Sequence, residues 1–397
     1  MSLLNRDNYS FVSLLLFSAL ILFTVANTLD ISYVESINYF SNFNELTFLT
    51  HAATFLFFFG ESNISIRSPF IISYLFSIIL FYQISKNYIK HHRDQLISVS
   101  IFMALPGVVS ASLLINTSIL VIFLILLYIY IYNKTNQHSY FLLTLFLFID
   151  NSFAILFISL FFYSLKQKDN KLLVLSLILF GISMQVYGFD SGGKPKGYFI
   201  ETIAIYASVF SPLIFFYFIY SLYRTAIKGE LDLLWYIAST TLIFSFLLSF
   251  RQSLDIEEFA PYIVIAIPIM VKTFLNSYRV RLPQFRTKHK IGINIALAVL
   301  LINTSIMLFN KPLYLYLDNP SKHFAYKHHF AKDIANELKK NNIYVITTNS
   351  KSLQKRLRFY GILPGGSKML YTYKPKNYDK ILNIKYLNKS ILTLYLS

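Results

Sequence analysis

Long apolar runs separated by short charged segments dominate the chain. Runs such as LVIFLILLYIYIY and LFLFIDNSFAILFISLFFYSL are continuously apolar and do not alternate with polar residues. A helix needs about 20 apolar residues to cross a hydrocarbon core of roughly 30 Å, so the pattern predicts spanning helices rather than the short alternating strands of a barrel. We expect about eleven spans, at 10–28, 69–85, 96–114, 118–133, 139–149, 151–165, 171–188, 202–223, 232–250, 259–277 and 291–309.

Composition supports a polytopic α-helical membrane protein. Apolar residues make up 55% of the chain and charged residues 14%, and the mean hydropathy is +0.52. The sequence contains no cysteine, no phosphate-binding glycine loop and no HExxH motif. Disulfide frameworks, thiolate metal sites and cytosolic nucleotide chemistry are therefore not expected. We assign no metal-ligating residues, and a divalent-metal requirement stays open. No nucleic-acid partner is predicted, and the oligomeric state also stays open.

The distribution of cations predicts the orientation of the spans. With the N-terminus inside, the inner segments hold sixteen Lys or Arg residues, whereas the outer loops before residue 310 hold four. Lys and Arg concentrate on the cytoplasmic side of membrane proteins. The N-terminus is therefore predicted to be cytoplasmic. Acidic residues gather in the outer loops, so we expect functional groups on the outer side.

The longest outer loop of the membrane region lies between the first two spans. It contains Asp30, Glu35 and Glu45, and it ends with Arg67 before the next apolar run. The stretch YVESINYFSNF alternates in a way typical of a helix that lies in the membrane interface, and LTFLTHAATFLFFFG predicts a second such helix. Asp30 is a candidate for chemistry, although a carboxylate at a helix end is also explained by simple hydration.

Residues 310–397 differ from the preceding membrane domain, 1–309. This tail carries sixteen Lys or Arg residues against four acids. HHFAKDIANELKKNN and SKSLQKRLRFYG predict helices, whereas IYVITT and KSILTLYLS predict strands. We therefore expect a small basic α/β domain on the periplasmic side. Its charge suggests anionic lipid or phosphate partners, although a general Lys excess of the chain is an alternative explanation.

Cations at the outer side are candidates for binding a phosphate. Arg67, Arg251, Lys194 and Lys196 are the outer cations of the membrane domain, and the two lysines lie in the glycine-containing segment FDSGGKPKGYF. Arginine can grip phosphate oxygens with two parallel hydrogen bonds. The alternatives are that Arg67 only anchors its own turn and that the lysines are solvated.

Acidic residues near the same rim form a secondary set. Asp150 separates two apolar runs, and Asp255, Glu257 and Glu258 follow a later span. An ionisable group at a membrane boundary suggests a function. Together with Glu35, these residues are candidates for acceptor binding, and the late cluster is also a candidate for a divalent cation. A hairpin turn at Asp150 and an exposed acidic turn at 255–258 are the simpler alternatives.

A resemblance to a known enzyme family sharpens these expectations. The stretch FFFGESNISIRSPFIISYLFSIILFY resembles the Arg-x-Pro segment that opens the second main span of family 39-like membrane glycosyltransferases. These GT-C-fold enzymes include protein O-mannosyltransferases and lipid A aminoarabinose transferases. ALPGVVSASLLINTSILVIF and SFRQSLDIEEFAPYIVIAIPIMV are similar to later segments of the family. The resemblance implies a GT-C-like bundle of about eleven spans and a small outer C-terminal domain.

The resemblance also implies roles for particular residues. Asp30 falls where the family has its catalytic Asp, and Glu45 falls where aminoarabinose transferases have an acidic residue followed by Lys-Pro-Pro. Leu46-Thr47-Phe48 follows Glu45 here, so that motif is not preserved. Ile31 and Asn116 also stand where the family has acidic residues.

These observations predict a glycosyltransferase of the bacterial inner membrane. It would move a sugar, with inversion, from a polyprenyl-phosphate carrier to a lipid, glycan or protein acceptor at the periplasmic face. Membrane lipids and the carrier are the expected partners, and no other cofactor is predicted. A lipid-linked-sugar flippase or transporter, an O-antigen polymerase or ligase, and a noncatalytic scaffold are the alternatives. The near absence of charge within the spans argues against a transporter.

Overall fold

Helices account for most of the described chain before residue 309. The computed structural model describes residues 6–40, 45–56, 62–188, 197–387 and 389–397. The helix bounds in this region are α1 Arg6–Thr28, α2 Tyr33–Phe40, α3 Glu45–Leu56, α4 Asn63–Tyr88, α5 His92–Ala104, α6 Pro106–Leu113, α7 Ser118–Thr135, α8 Tyr140–Phe146, α9 Phe153–Gln167, α10 Asn170–Tyr187, α11 Phe199–Phe210, α12 Pro212–Lys228, α13 Leu233–Ser249, α14 Ile256–Val264, α15 Ile267–Val280 and α16 Pro283–Leu308.

The described helices confirm a polytopic α-helical membrane protein. Five helices, α1, α4, α7, α10 and α16, are each long and apolar enough to cross a membrane, and the number rises to eight if each of three bent helix pairs is one span. Two further apolar helices in the described part, α9 and α13, have 15 and 17 residues. Every predicted span except 139–149 contains one of these helices or helix pairs.

Proline explains where the spans bend. Leu105 and Ser211 directly precede Pro106 and Pro212, and a residue before proline is disfavoured in the α conformation. Leu105 is extended, whereas Ser211 has a φ of 75°. The pairs α5/α6 and α11/α12 are consequently bent by 57° and 104°. The third pair, α14/α15, is bent by 45°, and a proline stands at the start of α15.

Two predicted spans need correction. The span 202–223 is not one straight helix, because the chain turns sharply at Ser211 between α11 and α12. The prediction of a span at 139–149 is wrong. Its helix, α8, has 7 residues, and at 1.5 Å per residue it is only about 10 Å long. Of this segment, Leu143, Phe146 and Leu147 are buried within the protein, whereas Phe141 and Phe148 are exposed.

The chain divides into two compact units. Unit 1 contains residues 1–20 and 70–305, and unit 2 contains residues 21–69 and 306–397. In unit 1, α9 packs against α10 and α13, and α12 packs against α15. Unit 2 combines the first long loop with the C-terminal segment. The predicted domain boundary at residue 309 remains a prediction, but the loop 29–69 belongs to the same unit as the tail.

The C-terminal segment of unit 2 is an α/β structure, as predicted. Its elements are α17 Leu313–Tyr316, α18 Ala331–Lys340, β1 Val345–Thr348, α19 Lys351–Phe359, β2 Leu363–Tyr371, β3 Lys380–Tyr386 and β4 Lys389–Leu396. The described strands form a four-stranded sheet of order β1-β2-β4-β3. The β1/β2 pair is parallel, and the pairs of β4 with β2 and β3 are antiparallel.

The amphipathic helices of unit 2 supply its core. Ile334 and Leu338 of α18 and Leu357 of α19 are buried with Ile346 and Leu394 of the sheet. Within the same unit, α2 packs against α3 and α19. The four elements predicted in the tail are confirmed. Helices α2 and α3 also lie where two helices were predicted, and their predicted position in the membrane interface stays a prediction. Strands β2 and β3 were not predicted.

Candidate active site

Asp30 lies just beyond the end of α1 and is buried within unit 2. Its side chain is 1% exposed. Oδ2 accepts a hydrogen bond from the backbone N–H of Lys332, with an N to O distance of 3.3 Å. Lys332 lies in the first turn of α18, where free N–H groups and the helix dipole favour a negative charge. The carboxylate is thus held by the N-terminus of a helix about 300 residues away in the sequence.

Lys311 forms an ion pair with Asp30. Its Nζ is 3.7 Å from Oδ1 of Asp30, and the lysine side chain is 22% exposed. The same ammonium donates a hydrogen bond of 2.9 Å to the carbonyl of Thr28. A buried carboxylate is costly unless it is paired and hydrogen-bonded. Lys311 and the α18 N-terminus together offset that cost.

A second carboxyl group adjoins this pair. Burial raises the pKa of Asp333, and the negative charge of Asp30 raises it further, while Lys311 and Lys332 act in the opposite sense. Asp333 therefore lies within electrostatic range of Asp30 and Lys311. Of these three residues, the sequence identified only Asp30.

Arg67 and Glu35 form a buried ion pair next to the backbone of Asp30. Their side chains are 1% and 3% exposed, and Nη2 of Arg67 is 3.1 Å from Oε2 of Glu35. Arg67 also donates to the carbonyls of Leu29 and Asp30, each at 3.1 Å. These hydrogen bonds fix the backbone that carries Asp30. They support a positioning role for Arg67 and Glu35, whereas the predicted phosphate and acceptor roles stay predictions.

Helix α19 holds the backbone of the next residue, Ile31. The N–H of Ile31 donates to the Tyr360 hydroxyl at 2.9 Å, and Arg356 donates to the Ile31 carbonyl at 2.7 Å. The Tyr360 hydroxyl in turn donates to Oδ1 of Asn63 at 3.0 Å. Burial raises the pKa of Tyr360, so the hydroxyl keeps its proton. Both backbone groups beside Asp30 are therefore fixed by the C-terminal segment.

His329 is a neutral neighbour of this cationic region. Burial lowers its pKa to about 3, and Lys311, His323 and Arg356 contribute to the shift. Its Nδ1 is 3.0 Å from the Tyr314 hydroxyl. The imidazole therefore serves as an uncharged hydrogen-bonding group at neutral pH.

Several predicted site residues lie outside the described residues or in unit 1. Lys194 and Lys196 lie outside the described residues. Glu45 begins α3, but its side chain also lies outside the described part. Arg251 belongs to unit 1 and is exposed beyond the end of α13. Their predicted roles remain predictions.

The late acidic residues of unit 1 line two separate cavities. Asp255 and Glu258 line a cavity of about 320 Å³ together with Asn151 and Ser152. Glu257 lines a second, mostly apolar cavity of about 200 Å³ that also contains Asn116. Adjacent residues in the first turn of α14 thus face different spaces.

Asp150 forms a local turn. Its Oδ1 accepts a hydrogen bond of 2.8 Å from the N–H of Ser152, which is the pattern of an Asx-turn. This contact supports the hairpin-turn interpretation of Asp150. Among the described residues, no group of three or more His, Asp or Glu side chains is arranged to hold a metal ion.

The arrangement of helices with a small C-terminal sheet is a GT-C-like membrane fold, as the sequence resemblance predicted. The chain is similar to two crystal structures of ArnT from Cupriavidus metallidurans, one in the apo state and one bound to undecaprenyl phosphate. The TM-scores are 0.55 and 0.58, with 10% sequence identity and 98% of both chains covered in each case. No protein-family model matches the chain, and no curated protein matches it either.

Proposed function

We propose that this protein is a glycosyltransferase that takes a sugar from a polyprenyl-phosphate carrier. The acceptor is a hydroxyl group of a lipid, glycan or protein at the periplasmic face of a bacterial inner membrane. The observation that carries the proposal is the similarity over 98% of the chain to ArnT, whose second structure holds undecaprenyl phosphate. The buried carboxylate Asp30 gives this fold a candidate base.

The environment of Asp30 supports a role in proton transfer. Its carboxylate is fixed by Lys332 N–H and by Lys311, while Arg67 and Arg356 fix the backbone on either side. Catalytic groups work best when surrounding contacts hold them in one orientation. A positioned carboxylate can accept a proton as its acceptor hydroxyl attacks.

The proposed reaction is a single displacement. The acceptor O–H bond breaks and its proton moves to a carboxylate oxygen of Asp30, while the acceptor oxygen bonds to the anomeric carbon. The bond from that carbon to the carrier phosphate breaks, and the phosphate leaves with the electron pair. Attack opposite the leaving phosphate inverts the anomeric configuration. The phosphate is already a competent leaving group, so one base suffices, unlike the two carboxyl groups of glycoside hydrolysis.

The experiment is transfer of labelled sugar by the purified full chain in nanodiscs. A panel of polyprenyl-phosphate sugars serves as donors, and membrane lipids and glycans serve as acceptors. We expect turnover with at least one donor and an inverted product. Asp30→Asn should lower turnover by about 10² or more, the scale of a lost general base.

Asp379→Asn is the matched control, because it removes an exposed carboxylate from the same unit. Its turnover should equal that of the wild type. Equal turnover of the wild type and Asp30→Asn would remove Asp30 from the mechanism. Movement of intact lipid-linked sugar across the bilayer without transfer would instead identify a flippase.

A further inference from the structure

Unit 1 contains a cavity between the C-terminal end of α12 and the N-terminal end of α13. Ser211 and Arg251 lie at the other ends of these two helices. The cavity has a volume of about 460 Å³, and its lining comes from the ends of α4 and α12, the segment before α13, and α15. Arg224 and Lys228 belong to the last turns of α12, and Lys272 projects from α15. This cavity is separate from the acidic cavities described above and from the Asp30 site.

The polar groups of the cavity suit an anion. Thr273 and Asn276 add a hydroxyl and an amide donor to the cations Arg224 and Lys228, whereas the Thr225 hydroxyl donates to the Ser221 carbonyl at 2.9 Å. Arginine and lysine together offer directional and freely rotating N–H donors to phosphate oxygens. The lining thus combines positive charge with the neutral donors that a phosphate ester can use.

The acids at this cavity leave its positive character intact. Asp232 accepts a hydrogen bond of 2.9 Å from the N–H of Trp235 and caps α13. It also interacts with the Tyr88 hydroxyl and with Lys272. Glu230 is exposed at the mouth. Asp232 is therefore engaged by the protein itself. Arg224 donates one hydrogen bond of 3.4 Å to the Tyr220 hydroxyl, and its other N–H groups can bind a ligand together with Lys228.

The exposed face of α12 beside the cavity indicates that the phosphate belongs to a lipid. Tyr220, Tyr223 and Ile227 are large apolar or aromatic residues with exposed fractions of 46%, 63% and 60%. They lie beside Arg224 and Lys228 on the same final turns. Tyrosines concentrate at the interface between headgroups and acyl chains. A lipid with its phosphate in the cavity would lay its acyl chains against this surface.

We propose that this cavity binds the phosphate headgroup of an anionic bilayer lipid. Basic pockets between spanning helices are a recurrent form of lipid recognition. The site is distinct from the reaction proposed above and does not depend on it. Phosphatidylglycerol is the probe of choice, because it joins a phosphate diester to hydroxyl groups that Thr273 and Asn276 can bind.

Native mass spectrometry of the full chain in detergent tests this proposal. The protein is titrated with phosphatidylglycerol and, separately, with phosphatidylcholine of the same acyl chains. We expect phosphatidylglycerol to bind at least about tenfold more tightly, and the variant R224Q/K228Q/K272Q to lose that preference. The control K134Q/K166Q/K171Q removes equal charge from lysines outside the cavity lining and should retain the preference.

A charge-preserving variant separates binding from folding. R224K/K228R keeps both cations and should bind phosphatidylglycerol within about threefold of the wild type. Equal affinity for the two lipids, or equal loss in the control variant, would overturn the proposal. Displacement of phosphatidylglycerol by inorganic phosphate at the same concentration would reveal a free-anion site and overturn the assignment to a lipid.

Discussion

The Asp30 region of unit 2 and the acidic rim of unit 1 use similar residues in different ways. In unit 2, Asp30 and Arg67 are buried, and their partners come from distant segments. In unit 1, Asp150 bonds to a backbone group two residues away, and Asp255 is exposed at the start of α14. A buried charge is costly unless the fold places partners beside it, and here those partners come from distant parts of the sequence. The comparison therefore favours unit 2 as the location of charged residues with a functional role.

The largest effect is expected from removing Arg67. Arg67→Ala leaves Glu35 buried without its cation and releases the carbonyls of Leu29 and Asp30. Loss of one member of a buried ion pair costs about 3–5 kcal/mol in free energy of unfolding. Thermal and denaturant unfolding in detergent measure it. Arg251→Ala, at an exposed site, should change the free energy by less than about 0.5 kcal/mol, and equal effects would erase the contrast between the two regions.

The helical segments were predictable because their information is local. Apolar runs of spanning length identify the helices of unit 1, and amphipathic spacing identifies α18 and α19. The bends at Leu105 and Ser211 were also accessible, since each precedes a proline. The length of the apolar run was misleading at 139–149, where the helix that forms, α8, has only 7 residues and is too short to cross a membrane.

The missed strands have less distinct sequence patterns. Strand β2 contains Pro364, Gly365 and Gly366, which are turn signals in most contexts. Its register with β1 shifts between Ile346 and Thr347. Strand β3 has the buried alternation of Leu382 and Ile384, but the pattern covers only two positions. Pairing with β4 is what stabilises it.

The candidate site was only half predictable for a related reason. Asp30 was found from its place at the end of the first apolar run and from the family resemblance. Lys311, Arg356 and Tyr360 contact Asp30 or Ile31 from the far end of the chain. No periodicity relates such residues, so the fold alone brings them together. Because the tail contains many lysines, its sequence also did not indicate that Lys311 is the one paired with the buried Asp30.

The pairing of Lys311 with Asp30 gives the next largest effect. Lys311→Met should lower the free energy of unfolding by about 1–2 kcal/mol, because the buried Asp30 loses its ion pair and retains the hydrogen bond from Lys332 N–H. The exposed Lys385→Met is the control and should leave stability unchanged. In the double variant with Asp30→Asn, the loss should be smaller than the sum of the single losses. Additive losses would mean that the two groups do not interact.

The lowered pKa of His329 predicts that the free energy of unfolding depends on pH. This pKa is about 3 in the folded protein, below its ordinary value of 6.5, so the unfolded chain binds more protons between these values. Stability from this group is complete above pH 6.5 and falls as the pH decreases toward 3. The slope approaches about 1.4 kcal/mol per pH unit. His329→Gln should reduce the slope of unfolding midpoints between pH 4.5 and 6.5, and an unchanged slope would assign it to other groups.

The smallest effect concerns the turn at Asp150. Asp150→Asn keeps an oxygen that can accept from Ser152 N–H, so we expect no change in stability. Asp150→Ala removes that acceptor and should cost about 0.5–1 kcal/mol in free energy of unfolding. Turnover should follow folded fraction in both variants. A selective loss of turnover in Asp150→Asn would give this carboxylate a chemical role and weaken the distinction between the two units.

We propose that Asp30, rather than a carboxylate of the unit 1 rim, accepts the proton of the acceptor hydroxyl. The direct measurement is sugar-transfer turnover of Asp30→Asn and Asp255→Asn, each normalised to the folded fraction from its own unfolding curve. A fall of about 10² or more for Asp30→Asn, with turnover within about twofold of the wild type for Asp255→Asn, is the predicted result. The reverse order, or equal turnover in both variants, would contradict it.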